Sequence, residues 1–395
     1  MTQGFQSAGG IPTVARSLAG GLREAGHEVV VFDLATSRSD TVSRRLSSPR
    51  SWRLNSVMNV CVDETQLVHV GANGVELEPL RYLPRKELTT QLDRFDVVQV
   101  VAGAPALGLA AARSRRPTVL QVATTVAWER SSQLSVTTRN LALWRTMMTR
   151  ITSHLERLAL RRADCVLVMN REMADFVAAT CDTIVVTAPP DVDEDRFTPR
   201  AAGWDRGGHL LSVCRLNDPR KGLDRLVRAY AKARALSPDL PPLVLAGRGK
   251  LPATLATLVN DLDLTGHVQV RSDVTPEELP LLYRAASIYL QASHEEGFGI
   301  SVLEAMASGV PVIATDTAGT RETVVHGDTG WLVEQTAEVA QDIATRVLAV
   351  RSAGGGQMAL QARQRAVSMF SKGASLSRTL EVYRSVLAGR SDIQW

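Results

Sequence analysis

A chain of 395 residues is too long for one compact core and predicts two domains, and a hydrophobic content of 45% supplies both with apolar side chains. No apolar run reaches the roughly 18–20 residues that span a bilayer, and the polar, glycine-rich start does not read as a secretory signal. A net charge of +4 without a basic domain speaks against a nucleic-acid protein, and the scattered Cys61, Cys165, Cys181 and Cys214, with no CxxC spacing, speak against structural zinc and for a reducing, cytoplasmic setting.

In chain order, Ala8-Gly9-Gly10-Ile11-Pro12 is a glycine turn that opens a helix over about 13–25, and 27–32 reads as a strand ending at Asp33. A glycine loop opening a helix fits half of a doubly wound α/β domain, although a Gly-Gly turn by itself is common. Such a domain needs a strand before the loop. Only Met1-Thr2-Gln3 stand there, which predicts either a natural start a few residues upstream or pairing by a stub alone. Residues 34–60 are polar and arginine-rich (Arg38, Arg44, Arg45, Arg50, Trp52, Arg53) and read as a solvated loop, or as a grip on an anionic acceptor or a membrane surface.

Strand-like stretches at 66–70, 97–101 and 118–122, with helix-like 105–112 between the last two, predict a parallel sheet. A long helical region over 131–162 carries many arginines, and Glu156 is nearly its only acid. It reads as a surface helix with one core face, or as a basic amphipathic helix on anionic lipid. A buried strand over 164–169 and a helix over 171–179 follow, and Ala188-Pro189-Pro190-Asp191 reads as an interdomain linker.

The second half opens with a strand at 209–214, followed by Arg215, and Lys221-Gly222 starts a helix. Two cations at a strand end and a helix start can both reach a pyrophosphate, or can simply be solvated. Further strands are expected at 243–247 and 268–270, with helices over 251–262 and 276–286. Ile288-Tyr289-Leu290 is strand-like; then come Glu295-Glu296, the turn Gly297-Phe298-Gly299, a helix from about Ser301 to Gly309 and a buried strand from Val310. A helix N-terminus behind a glycine loop suits a phosphate. Glu296 and Glu304 bracket this loop, and carboxylates there make sense as acceptors from paired hydroxyls of a sugar or ribose. Ser301-x-x-Glu304 equally reads as a capping box, which would make Glu304 a structural cap.

The run Glu296-Gly297-Phe298-Gly299, Glu304-Ala305-Met306-Ala307, Gly309, Pro311-Val312 and Ala314-Thr315 resembles the donor-site signature of the retaining glycosyltransferases of family 4. The resemblance extends over nearly the whole chain and is more specific in its second half. It implies an α/β, GT-B fold: two Rossmann-like doubly wound domains facing across a cleft. The expected domains are 1–189 on the acceptor side and 190–370 on the nucleotide-sugar side, with a C-terminal helix of about 371–395 crossing back onto the first.

The resemblance implies that Arg215 and Lys221 clamp the donor diphosphate and that Glu296 contacts donor-sugar hydroxyls. It further implies that Glu304 contacts the ribose, and that Gly297, Phe298, Gly299, Ile300 and Ser301 line sugar and phosphates. Gly9 and Gly10 match a loop near the donor phosphates and acceptor. Ala123 stands where the family often carries a histidine against the donor sugar, which leaves Thr124, Thr125 and Glu129 as acceptor-side polar groups.

The implied activity is retaining hexosyl transfer from a nucleoside-diphosphate sugar, UDP before GDP, with the nucleotide sugar as co-substrate and neither cofactor nor metal. The acceptor, a small molecule, lipid or glycan, is not legible. A specialised metabolite fits the arginine-over-lysine composition of a GC-rich genome. Other readings are a membrane-associated lipid or polysaccharide transferase with peripheral membrane contact, a neighbouring enzyme class on this fold such as an epimerase or phosphorylase, and a non-catalytic nucleotide-sugar-binding partner subunit.

Overall fold

The structure, a computed structural model, describes residues 1–7, 9–37, 39–53, 57–62, 65–131 and 139–389. Ala8, Arg38, the stretch 132–138 within the expected long helix and the tail 390–395 lie outside them. The chain divides into two α/β units, one of Met1–Pro190 with Ser375–Trp395 and one of Asp191–Ala374.

The first unit begins with α1 (Gly10–Glu24), β1 (Val31–Leu34), β2 (Val57–Val62), β3 (Thr65–Val70), α2 (Glu78–Arg81) and α3 (Lys86–Leu92). It continues with β4 (Val98–Ala102), β5 (Thr118–Val122), α4 (Val126–Ser131), α5 (Arg139–Leu160), β6 (Cys165–Val168), α6 (Arg171–Ala178) and β7 (Ile184–Thr187). Strands pair in the orders β1-β3-β2 and β4-β5-β6-β7. All pairs are parallel except β2 with β3. The expected loop over 34–60 therefore contains a strand: Val57–Val62, with three valines among its six residues, pairs antiparallel with β3, and the arginines before it hid that signal. The helix-like stretch after β4 is a tight 3-10 helix, Pro105–Ala111, buried throughout.

Met1 and Thr2 bridge the two sheets at their C-terminal ends. Thr2 N donates to Phe32 O at 2.9 Å, Leu34 N to Thr2 O at 2.9 Å, and Val101 N to Met1 O at 2.9 Å. The Met1 ammonium lies 2.5 Å from Gln99 O, and burial lowers its pKa to about 5. Behind this stub a cavity of about 1230 Å³ separates β1 from β4, lined by Val31, Val98 and by Leu18 and Leu22 of α1. It is a gap in the sheet, away from the C-terminal strand ends where ligands of such sheets bind.

The second unit runs β8 (His209–Arg215), α7 (Leu223–Leu236), β9 (Leu243–Arg248), α8 (Ala253–Asp261), β10 (Val268–Ser272), α9 (Glu278–Arg284) and β11 (Ala286–Gln291). It ends with α10 (Ile300–Ala307), β12 (Val312–Thr315), α11 (Ala318–Thr323), β13 (Gly330–Val333), α12 (Val339–Ala353) and α13 (Gly356–Phe370). Its six strands are parallel in the order β10-β9-β8-β11-β12-β13. β11 and β12 are buried at every position, as a strand covered on both faces requires. The chain winds outward from β8 to β10, then restarts at β11 and winds the other way. The switch point between β8 and β11 is where a doubly wound sheet opens a crevice at its carboxyl edge. The last helix, α14 (Lys372–Leu387), belongs from Ser375 onward to the first unit. There Val382 packs with Val119, Cys165 and Val186, and Tyr383 Oη donates to Gln99 Oε1 at 3.0 Å.

Candidate functional site

The β8/β11 switch point gathers the charged residues of the second unit. Arg215 ends β8, and the turn Leu216–Gly222 carries the chain back to α7. Asp218 ties that turn together, accepting from Arg215 Nη2 at 3.1 Å and from Arg220 Nη2 at 2.8 Å. Arg220 O in turn accepts from His294 N at 2.8 Å, which pins the turn to the loop after β11. Gly222 is required here: its φ is 58°, and a Cβ would lie 2.1 Å from Ala292 O.

Lys221 is thereby delivered to Glu296. Lys221 Nζ lies 2.6 Å from Glu296 Oε1, and the same oxygen accepts from Ser293 Oγ at 2.7 Å and Gln291 Nε2 at 3.2 Å. Glu296 Oε2 takes no protein donor among the described residues. Burial works against the Lys221 charge, but the Glu296 carboxylate outweighs it, and the net shift of the lysine pKa is upward. Arg215 is 59% exposed and extends its guanidinium into solvent at the same strand end.

The glycine loop leads into α10 through Gly299, whose φ of 84° sets the helix entry. Val302 N makes the first intrahelical bond, to Gly299 O, so the amides of Ile300 and Ser301 precede the ladder and carry the positive end of the helix dipole. Phe298 is buried, and the start of α11 fits beneath it: a Cβ on Gly319 would lie 2.4 Å from Phe298 N, and Gly319 N donates to Glu296 O at 3.0 Å.

Glu304 corrects one expectation. Ser301 lies inside α10, Gly299 is the N-cap, and no side chain caps the helix, so the capping box does not form. Glu304 Oε2 instead accepts from Tyr283 Oη at 2.8 Å, and Tyr283 also lies 3.1 Å from Ser301 O. Burial raises the Glu304 pKa to about 7, with the Tyr283 bond opposing it. A carboxylate held this way can take a proton or accept from a ligand hydroxyl near neutrality.

Two family models match the chain in succession: "Glycosyltransferase Family 4" over residues 8–196 and "Glycosyl transferases group 1" over residues 201–365.

The chain belongs to glycosyltransferase family 4.

Among relatives, it is 38% identical over 164 residues to a GDP-mannose-dependent alpha-(1-6)-phosphatidylinositol monomannoside mannosyltransferase of Mycolicibacterium smegmatis, covering 38% of this chain and 42% of that one. It is 35% identical over 247 residues to a D-inositol 3-phosphate glycosyltransferase of Kineococcus radiotolerans, covering 56% of each chain. The chain thus spans about half the length of the curated relatives it matches. In fold it is similar to sucrose-phosphate synthase of Thermosynechococcus elongatus, with a TM-score of 0.69 at 20% identity, covering 97% of this chain and 94% of that one.

In this family 4 chain the second unit brings together Arg215, Lys221, Glu296, Ser301 and the Gly297–Gly299 turn. Ile300 and Glu304 stand on α10 of the same unit, and Gly9, Gly10, Thr124, Thr125 and Glu129 lie in the first unit. Gly9 caps α1, which starts at Gly10, and a Cβ on Gly103 would lie 3.8 Å from Ile11, next to the glycine turn. Thr124 N donates to Gly103 O at 2.9 Å, so the turns after β4 and β5 meet the start of α1. Thr125 is buried, and its Oγ1 accepts from Trp128 N at 3.2 Å; Glu129 lies half-buried in α4.

Four participants were not legible in the sequence. Asp218, Gln291, Ser293 and Tyr283 position the two glutamates and two cations, yet each is an ordinary polar residue in a turn, strand end or helix. Gln291 is buried with its Oε1 unpartnered, beside Glu296 and Gly299. Only its place at a strand end before the acidic loop could have signalled it.

Proposed function

We propose that the chain transfers a hexosyl unit from a nucleoside-diphosphate sugar to an acceptor hydroxyl with retention of anomeric configuration. The observation that carries this reading is the convergence of Arg215, Lys221, Glu296 and the α10 N-terminus at the β8/β11 switch point. Arg215, Lys221 and the amides of Ile300 and Ser301 face the diphosphate, where negative charge grows as the glycosidic bond breaks. Glu296 Oε2 accepts from hydroxyls of the donor sugar, and Glu304 from the ribose. Gly297, Phe298 and Gly299 line the sugar.

The acceptor oxygen attacks the anomeric carbon on the face from which the diphosphate leaves, and the departing phosphate oxygen takes the acceptor proton. No protein nucleophile is needed, and the fixed cations supply the positive charge without a metal ion. Thr124, Thr125 and Glu129 form the acceptor side. The reaction is assigned to the cytoplasm on cysteine usage.

Uridine is the favoured base. GDP-mannose is the second reading, since the mycolicibacterial relative is named as GDP-mannose-dependent. Calorimetry with UDP and GDP tests both, repeated on Arg215→Ala and Glu304→Ala. One nucleotide should bind, and both substitutions should weaken it; binding of neither nucleotide would overturn the donor assignment. The anomeric proton coupling of an enzymatic product, read by NMR, then tests retention.

An anionic acceptor, such as the phosphorylated inositol in the name of the second relative, is supported by Arg85. This guanidinium is 2% exposed with Nε and Nη1 unpartnered, and Arg44 beside it is paired to Glu87 at 2.7 Å. Burial first, then Arg44, lowers its pKa to about 10, so an added anion there offsets a standing cost. Arg85→Met should raise KM for a phosphorylated cyclitol and leave nucleotide affinity unchanged.

A further inference from the structure

We propose that the outward face of α5 docks on an anionic lipid bilayer. The inference goes beyond glycosyl transfer and does not use it. α5 turns Thr152, Glu156, Ala159 and Leu160 inward, all buried, and packs on the Pro105–Ala111 helix and on α2. Its opposite face exposes Leu143 (73%), Trp144 (46%), Met147 (43%), Ile151 (40%) and Leu158 (38%). At the helical repeat these five fall within an arc of about 100°. Among the described residues no other element exposes more than two large apolar side chains, so the row is not ordinary surface scatter.

The charges beside this row all have one sign. Arg150, Arg157, Arg161 and Arg162 are exposed along it. The sole acid between 139 and 162 is Glu156, which is buried and accepts from Val126 N at 2.8 Å. A helix that simply faces water mixes acids and bases. One that binds nucleic acid has no use for Leu143, Met147 and Ile151 in a row. A second copy packed through the same face would set four arginines against their own images. An anionic headgroup layer meets both features: cations pair with lipid phosphates, and the apolar row enters the acyl boundary. No helix among the described residues is long and apolar enough to cross a membrane, so α5 lies in the plane.

The test is sedimentation of the full chain with vesicles of phosphatidylcholine alone, and with one third of the lipid replaced by phosphatidylglycerol. The expected result is co-sedimentation with the second only, reversed by high salt. Leu143→Ser/Met147→Ser/Ile151→Ser should weaken partitioning about tenfold or more, and Arg150→Glu/Arg157→Glu should do likewise. Both variants should keep the wild-type thermal midpoint, since all five side chains are exposed. Absence of binding to the anionic vesicles overturns the proposal, as does a triple variant that sediments like wild type. A dimer that dissociates in the triple variant, without vesicle binding, would assign the face to a second copy instead.

Discussion

Lys221 Nζ lies 2.6 Å from Glu296 Oε1, and this contact joins the turn after β8 to the loop after β11 across the switch point of the sheet. Both side chains are largely buried, at 17% and 12% exposure, so each is the other's main compensation for lost water. Lys221→Met should therefore lower the stability of the second unit by about 2–3 kcal/mol. Adding Glu296→Gln to it should cost less than the sum of the single changes. Urea midpoints of the four proteins measure the coupling, and strict additivity would mean that the pair is not a unit.

Arg215 should behave differently. It is 59% exposed, and its Asp218 partner is also held by Arg220. Arg215→Ala should leave the thermal midpoint unchanged. It should weaken nucleoside-diphosphate binding by about 1.5–3 kcal/mol, the worth of a charged hydrogen bond. Calorimetry and a melting curve on the same sample separate these two effects.

Glu304 sets a pH dependence. Its pKa is raised to about 7 by burial, so the unliganded site loses this proton only as pH rises through neutrality. A hydroxyl donates more strongly to the ionised carboxylate than to the neutral acid, so on the proposed ribose contact nucleotide affinity should increase from about pH 6 to about pH 8. Glu304→Gln should flatten that profile. A wild-type affinity that falls over the same range would show that Glu304 does not accept from the ligand.

Glu156 carries the same linkage in the first unit, with stability as its readout. Burial raises its pKa to about 7 while Val126 N donates to its Oε1 at 2.8 Å. A folded pKa above the unfolded one contributes stability that is fully present below the ordinary carboxylate range and fades as pH rises through 7. Glu156→Gln keeps an acceptor for Val126 and removes the charge. Its thermal midpoint should match wild type near pH 4 and exceed it near pH 8; equal midpoints at both would refute the burial argument.

Two glycines with positive φ provide a controlled comparison. Gly222→Ala meets Ala292 O at 2.1 Å and should cost more than about 3 kcal/mol, as backbone strain adds to a clash that cannot relax. Gly203, at φ 80° with nothing within 4 Å, should cost only the strain, about 1 kcal/mol. The difference in denaturation midpoint checks that close approach, rather than φ alone, makes Gly222 necessary.

Much of this protein is local and therefore determined by sequence alone. Continuous apolar runs and glycine punctuation mark the strands of the second unit and the helices between them, because burial on both faces demands apolar side chains at successive positions. The loop Glu296–Gly299 is legible for the same reason: a glycine turn before a helix is a property of neighbouring residues. Non-local relations were not legible. Val57–Val62 becomes a strand only because β3 is there to pair with it. Ser301 and Glu304 have the spacing of a capping box, yet Gly299 starts the helix and Tyr283, distant in sequence, claims the carboxylate. That Asp218, Gln291 and Ser293 hold the cations and the acid in place depends on β8 and β11 lying side by side, and that adjacency arises from strand order. Sequence periodicity specifies which face of an element is buried; which other element buries it is decided when the whole sheet assembles, since only then do groups from separate strand ends share one crevice.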